Sequence, residues 1–457
     1  NITGSGATGT IIQGNIIGLD PDGATGSGNA DVGIALLSGA HNTTIGGNTA
    51  AERNIISNNY EGIEINSNNN TVQGNYIGTD ITGTLDRGNR SDDGVELQNG
   101  ATGNLIGGSG AGEGNLISGN ALNGIFINSN GNTVKGNLIG TDVTGTLDLG
   151  NNGDGIQVSG DNNVIGGSTV GDRNVISGNN DEGIDINAGA TGTIIQGNYV
   201  GTNASGDAAI PNGAGGVGNW GGILVGGDNT TVGGSNPGEG NLVSGNHSWG
   251  MIVESSNNVV QGNLIGTAVD GTSALGNSGH GLQVYNNPDG LNNLIGGTVA
   301  GAGNVIANNG LDGISTTGSV SASFLGNIIL NNGGAGIDLG DDGVSANDVN
   351  DSDVGGNALQ NFPVITQADL NGTDLTLTGT LDTDGLSTQY RIEFYGNAAG
   401  TTDATNGEGR VYLGSTTVTT DGSGDASFSN VVLNGVTLGA GDFGTATATR
   451  STEPGQV

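Results

Sequence analysis

The chain has 457 residues, of which 96 are glycine, six proline and only 3% aromatic, a composition that leaves collagen, disorder or a tight-turned repeat. Glycine does not recur at every third position, and regular Ile, Leu and Val runs supply a core, so a repeat remains. A formal charge of −36, from 44 acidic against eight basic residues, would repel a phosphate backbone and argues against nucleic acid as a partner. The absence of cysteine excludes disulfides, thiolate metal sites and thiol nucleophiles. No apolar run approaches the roughly 18 residues of a membrane span, and Asn1 does not open a signal peptide, so the chain reads as a mature or excised fragment.

Two variants of one motif alternate from the first residue to about 340. Gln-Gly-Asn-Ile-Ile-Gly occupies 13–18, with copies at 73–78, 135–140, 196–201 and 261–266 and a worn copy at 325–329. Between them stands Asn-aliphatic-aliphatic-Ser/Ala, starting at Asn54, Asn115, Asn174, Asn241 and Asn304. The marker asparagines number eleven, spaced 39, 21, 40, 22, 37, 24, 43, 22, 41 and 23 residues apart. A spacing of 21 to 24 residues suits three short strands and three turns. The long spacing adds a loop carrying Thr-Asp-Ile-Thr-Gly-Thr at 79–84 and Thr-Asp-Val-Thr-Gly-Thr at 141–146. These spacings predict an all-β, triangular parallel β-helix of about eleven coils, with a loop on every second coil and all loops projecting from one region of the rod.

Within a coil, Asn115-Leu-Ile-Ser, Gly124-Ile-Phe-Ile and Thr133-Val-Lys read as strands that pair with their equivalents one coil away. In Ile63-Glu64-Ile65, Val95-Glu96-Leu97, Ile156-Gln157-Val158 and Ile184-Asp185-Ile186 the flanking aliphatics point inward and the middle residue outward. The marker asparagines are expected to stack as a buried amide ladder. Asn-x-Ile-Ser-Gly-Asn, Gly-Ile-x-Ile and Gly-Asn-x-Ile-Gly-Thr together resemble the exported bacterial proteins of the right-handed parallel β-helix repeat class, the superfamily containing pectate lyases. The resemblance covers about 1–340 and implies an extracellular, cell-surface or periplasmic setting. That class mixes enzymes with structural and adhesive proteins.

From Asp338 the pattern breaks into an acidic stretch through Asp353, so 341–361 reads as a connector. Its alternating oxygen-bearing residues offer a Ca²⁺ loop with Asp348, Asn350, Asp351 and Asp353 as ligands. Residues 362–457 carry longer alternating segments, Asp374–Leu381, Tyr390–Tyr395, Val411–Val418, Ala426–Ser429 and Thr445–Thr449. They resemble the immunoglobulin-like β-sandwich that follows such helices in exported proteins. In that resemblance a further strand follows Thr-Ala-Thr; without it, an open edge would accept an extended segment such as Asn1 to Thr10 of another copy, giving head-to-tail self-association.

Two functional readings follow. The first is a non-catalytic structural, filament-forming or adhesive element, and it takes the lead because no catalytic constellation is complete. The alternative is a polysaccharide lyase, epimerase or hydrolase working on acidic glycans along the outer face. Its residues would be Glu64 and Glu96, outward on successive coils, with Arg90 and Asp93 on a neighbouring loop. Asp92-Asp93 and Gly279-His280-Gly281 match polygalacturonase-like motifs by letters alone, while Asn-Thr-Asp and Arg-Ile-Lys are absent. Arg53 and Arg173 hold the same repeat position, which points to a role within the repeat. Trp220 and Trp249 precede equivalent strands and would form a sugar-stacking platform for polysaccharide contact. The three histidines are too scattered for a metal triad.

Overall fold

The computed structural model describes residues 1–26, 28–214, 221–285, 291–318, 320–399, 408–439 and 441–451. Three parallel sheets of eleven strands each make up a β-helix, and every coil visits the three in the same order. The first sheet runs from Ile11–Ile12 to Ser321–Leu325, the second from Ile16–Ile17 to Ile328–Leu330, and the third from Ile34–Leu36 to Ile337–Leu339. No helix is long and apolar enough to cross a membrane among the described residues.

Side-chain alternation sets the faces. Ile63, Ile65, Val95 and Leu97 are fully buried in one aliphatic stack that runs the length of the rod, while Glu64 and Glu96 between them are only half-buried and point away from it. The second sheet behaves differently. Ile56, Ile77 and Ile117 enter the central stack, whereas their neighbours Ile55, Tyr76 and Leu116 form a separate buried cluster with Leu138 of the same sheet and with Leu19 and Val143 from the loops. That double burial is why this strand reads as two aliphatics in succession.

The long coils differ from the expectation of one added loop. One insertion, such as 78–94 or 140–155, joins the second sheet to the third, and another, such as 108–115 or 167–174, joins the first to the second. Counting from asparagine to asparagine sums both, so the spacing concealed that loops stand at two corners of the triangle. At the first of these corners Asp80 and Asp142 organise the Thr-Asp-x-Thr-Gly-Thr turns. Oδ1 of Asp80 accepts from the backbone N–H of Thr84 and Leu85, both at 3.1 Å, and both oxygens accept from the Thr82 hydroxyl. Successive loops join directly, Val143 N–H donating to Gly83 O and Ala204 N–H to Gly145 O. Where each second-sheet strand enters its loop, Gly78 has φ +91°, and a Cβ there would lie 2.1 Å from Ser118 O, so glycine is required. At the other corner Arg53 lies over the Tyr76 ring at 4.0 Å and Arg173 over Tyr199 at 3.9 Å, which accounts for their shared repeat position.

The marker asparagines form an unbroken ladder. Each Nδ2 donates to Oδ1 of the next, from Asn15 through Asn115 and Asn137 to Asn327, at 2.9 to 3.1 Å. A second ladder, absent from the sequence reading, runs from Asn29 through Asn59, Asn89, Asn120, Asn151, Asn179, Asn212, Asn246, Asn277 and Asn309 to Asn332. Asn115 shows what one rung does: Nδ2 donates to Asn137 Oδ1 and to Val72 O, while Oδ1 accepts from Nδ2 and N–H of Asn75. Asn115→Ala removes four buried hydrogen bonds and is expected to lower stability by about 3–5 kcal/mol, read by urea denaturation. Asn15→Ala, at the exposed first rung, should cost under about 1 kcal/mol.

The chain beyond the solenoid folds back over its last coil. Strands Val364–Asn371, Asp374–Asp382 and Asp425–Leu433 form one antiparallel sheet, and Val411–Thr419, Gln389–Asn397 and Phe443–Arg450 another. Leu375, Leu377, Leu381 and Phe428 of the first pack against Tyr390, Ile392, Phe394 and Val418 of the second, making a small β-sandwich. Val364–Asn371 was not expected as a strand, because its residues are mostly exposed and show no apolar alternation. Residues 452–457, which follow this strand, lie outside the described residues. Ile329 and Gly409 exchange two backbone hydrogen bonds of 3.0 Å, and Glu408 accepts from N–H and Nδ2 of Asn332, ending the second ladder. Glu393, buried and held by Arg391 and Tyr395, accepts from Gly326 N–H at 2.8 Å. The sandwich therefore caps the exposed strand edges of coil eleven.

Candidate functional site

The outer face of the third sheet gathers acids from two columns. One column is the outward residue of each strand: Glu64, Glu96, Phe126, Gln157, Asp185. The other is the residue before the glycine that opens the strand: Glu61, Asp93, Asn123, Asp154, Glu182. This second column is itself laddered, since Asp93 Oδ1 accepts from Asn123 N–H at 2.8 Å, Asn123 Oδ1 from Asp154 N–H at 2.8 Å and Asp154 Oδ1 from Glu182 N–H at 3.0 Å. The long loops 78–94 and 140–155 end at Asp93 and Asp154, so they bring the column to the rim of the sheet.

Coils two and three hold the densest group. Glu64 and Glu96 are register partners. Gln98 Nε2 donates to Glu64 Oε1 and to Glu96 Oε2, each at 3.0 Å, so those two oxygens lie no more than about 6 Å apart. Burial pushes the Glu96 carboxyl up, reinforced by the charges of Asp92 and Glu64. Behind them Glu61 is only 5% exposed and its Oε1 has no hydrogen-bond partner. Burial, then repulsion from Glu96, Asp92, Glu64 and Asp93, pushes Glu61 up to about 9. Asp93 rises to about 7 through burial, against the Asn123 N–H that favours its charge. An unpaired buried carboxyl is costly to keep unless it stays protonated, and such groups concentrate where chemistry is done.

A second group lies two coils on. Asp154 is pushed well up by burial and by the Glu182 carboxyl, against the Glu182 N–H that favours its charge, and Asp185 rises to about 6 by burial, with Glu182 and Glu254 adding repulsion. Phe126 and Asn123 separate the two groups. Of the residues named for catalysis from sequence, Glu64, Glu96 and Asp93 come together, whereas Arg90 directs Nη2 to Asn29 O at 3.0 Å on the preceding long coil. Glu61, Asp154 and Glu182 were missed; the signal was the acid before Gly in Glu61-Gly, Asp93-Gly, Asp154-Gly and Glu182-Gly.

In the connector, Asp348, Asp351 and Asp353 each place one oxygen within 4.8 Å of the others. Asp351 is 3% exposed, its Oδ1 accepts from Asn361 N–H at 2.8 Å, and its Oδ2 is buried without a partner, as is Oδ1 of Asp353. Burial, with repulsion from Asp384, pushes Asp351 up to about 6. Asn350 is exposed beside this group and gives its N–H to Asp382.

Trp220 lies outside the described residues. Trp249 aligns with Gly221 in the adjoining coil, is partly buried, and stacks on His280 with ring centroids 6.3 Å apart and planes at 20°. One face of the indole therefore packs against a neighbouring coil.

No protein-family model matches the chain. No curated protein matches it. Among solved structures, an alginate lyase from Paenibacillus sp. str. FPU-7 is similar at 17% identity, covering 68% of this chain and 86% of that one, with a TM-score of 0.33. A likeness of that extent carries no argument about the reaction.

Proposed function

We propose that this chain is an exported glycan-active β-helix that hydrolyses a polysaccharide lying along the outer face of the third sheet. The observation that carries this reading is the Glu64–Glu96 pair, clamped by one glutamine amide and backed by buried carboxyls. A separation of at most about 6 Å suits a retaining glycosidase, in which the carboxyls stand about 5–5.5 Å apart, better than an inverting one at about 6.5–9.5 Å. Glu96, with its raised pKa, protonates the glycosidic oxygen as the Glu64 carboxylate attacks the anomeric carbon. Water then releases the glycosyl ester and returns its proton to Glu96. Five acids at the site and a charge of −36 favour a neutral glycan over a polyuronate. A panel of neutral and uronic polysaccharides tests this: new reducing ends from a neutral member are expected, and products with unsaturated ends from a uronic member would replace hydrolysis by elimination.

A non-catalytic rod is the second reading, and the two complete asparagine ladders favour it. It prevails if no glycan in the panel is shortened. Under either reading we propose Ca²⁺ in the connector, held by Asp348, Asp351 and Asp353, where the partnerless buried oxygens of Asp351 and Asp353 fit a hard cation. Adding Ca²⁺ at about 100 times its Kd should stabilise the folded chain by about 2.7 kcal/mol, seen as a rise in apparent Tm that Asp351→Asn abolishes.

A further inference from the structure

At the C-terminal end of the same sheet, a third group breaks the pattern of acids alone. His280 occupies the column that holds Glu61 and Asp93, and Asp312 follows it one coil on. The imidazole sits between two carboxylates, Nδ1 at 3.1 Å from Asp312 Oδ2 and Nε2 at 3.3 Å from Asp341 Oδ1. Atoms of His280, Asp312 and Asp341 all lie within 4.8 Å of one another. Asp338 stands outward on the last strand of the same sheet, is 4% exposed, and its Oδ1 has no hydrogen-bond partner, although Oδ2 accepts from Gly343 N–H at 2.9 Å. Its register partner Ser315 also buries a hydroxyl without a partner. The outward side of the last two strands of this sheet thus buries two oxygens without partners.

We propose that His280, Asp312 and Asp341 bind one divalent first-row transition ion. Imidazole nitrogen with carboxylate oxygen suits Zn²⁺ or Mn²⁺ better than Ca²⁺, which takes oxygen alone. Nδ1 also accepts from the Asp312 backbone N–H at 3.2 Å, which leaves Nε2, facing Asp341 Oδ1 at 3.3 Å, as the nitrogen open to the ion. The ligands come from coils nine and ten and from the chain just after its last solenoid strand, so the ion ties the departing chain to the rod.

The test uses the full chain carrying Asp351→Asn, to remove the connector group, and stripped of metal with a chelator. Calorimetric titration with Zn²⁺ and with Mn²⁺ should show one equivalent bound by at least one of them, with a rise in apparent Tm. Asp341→Asn, at the accessible rim, and His280→Gln should each weaken binding at least tenfold while circular dichroism stays unchanged. Co²⁺ should give a visible absorption band that His280→Gln removes. Equal affinity in the parent and both variants overturns the proposal, as does binding of Ca²⁺ with neither transition ion.

Discussion

Replacing Glu96 by glutamine should leave the coil folded and reduce glycan turnover by about 10²–10⁴-fold, the usual contribution of a positioned general acid. Glutamine keeps the shape and can still face Gln98, so the loss would report the missing proton. Glu64→Gln should be at least as severe, since no nucleophile then remains within reach. Small anions such as azide should restore part of the turnover in Glu64→Gly, yielding a glycosyl azide. Arg90→Ala should leave the rate unchanged, because Arg90 is bonded to Asn29 on another coil; a large loss there would indicate a proton-abstracting base and so elimination. In the parent protein turnover should fall as pH rises through the elevated pKa of Glu96, and this alkaline limb should vanish in Glu96→Gln. Measurement of kcat and KM for all four variants on one soluble glycan decides the matter.

Stability should be greatest in mild acid and decline toward alkaline pH, the reverse of most acidic proteins. Glu61 and Asp93 are pushed up to about 9 and about 7, and Asp185 to about 6. Between the unfolded value near about 4 and these folded values, the native chain holds protons that the unfolded chain has lost. Raising pH across that window therefore favours unfolding. Below it the sign reverses: Asp172, bonded to Ser109, Thr169 and Lys135, is held down near about 2 and loses those contacts once protonated. Apparent Tm should thus peak near about pH 4–5 and fall by roughly 5–10 °C by pH 9. Glu61→Gln, which fixes the neutral form, should flatten much of the slope. A flat profile in the parent protein would show that these carboxyls are hydrated and ionised throughout.

The number of coils was legible because a β-helix turns length into counting: each marker asparagine must meet the next at one coil's height, so its spacing is the coil. The second ladder was equally countable. Each of its asparagines follows the marker by five residues on short coils, as Asn54 to Asn59, and by 14 on long ones, as Asn75 to Asn89. That constancy was hidden because Asn is so frequent in these turns. Glu64 and Glu96 could be paired from strand alternation alone. Burial could not be foreseen: Glu61 and Asp154 look like ordinary turn acids, and only the loops packed at that corner remove them from water. His280 was set aside with the other histidines, since Asp312 and Asp341 lie 32 and 61 residues further on and nothing local links them. The connector acids were readable as a cluster because they are close in sequence, yet which oxygens stay unpartnered emerged only from the fold.

Along both ladders, up to the last rung, the amide oxygen accepts from the preceding coil and one N–H donates to the following one, so the small dipoles add along the rod. Backbone dipoles in a parallel sheet largely cancel; these do not. The solenoid is therefore an electrically polar object, with its positive pole at coil eleven and its negative pole at coil one. Glu408 and Glu393 of the sandwich sit at the positive pole, as a carboxylate sits at the start of an α-helix. An external field should orient the rod along its length, and two rods approaching end to end should meet oppositely signed poles only in one direction.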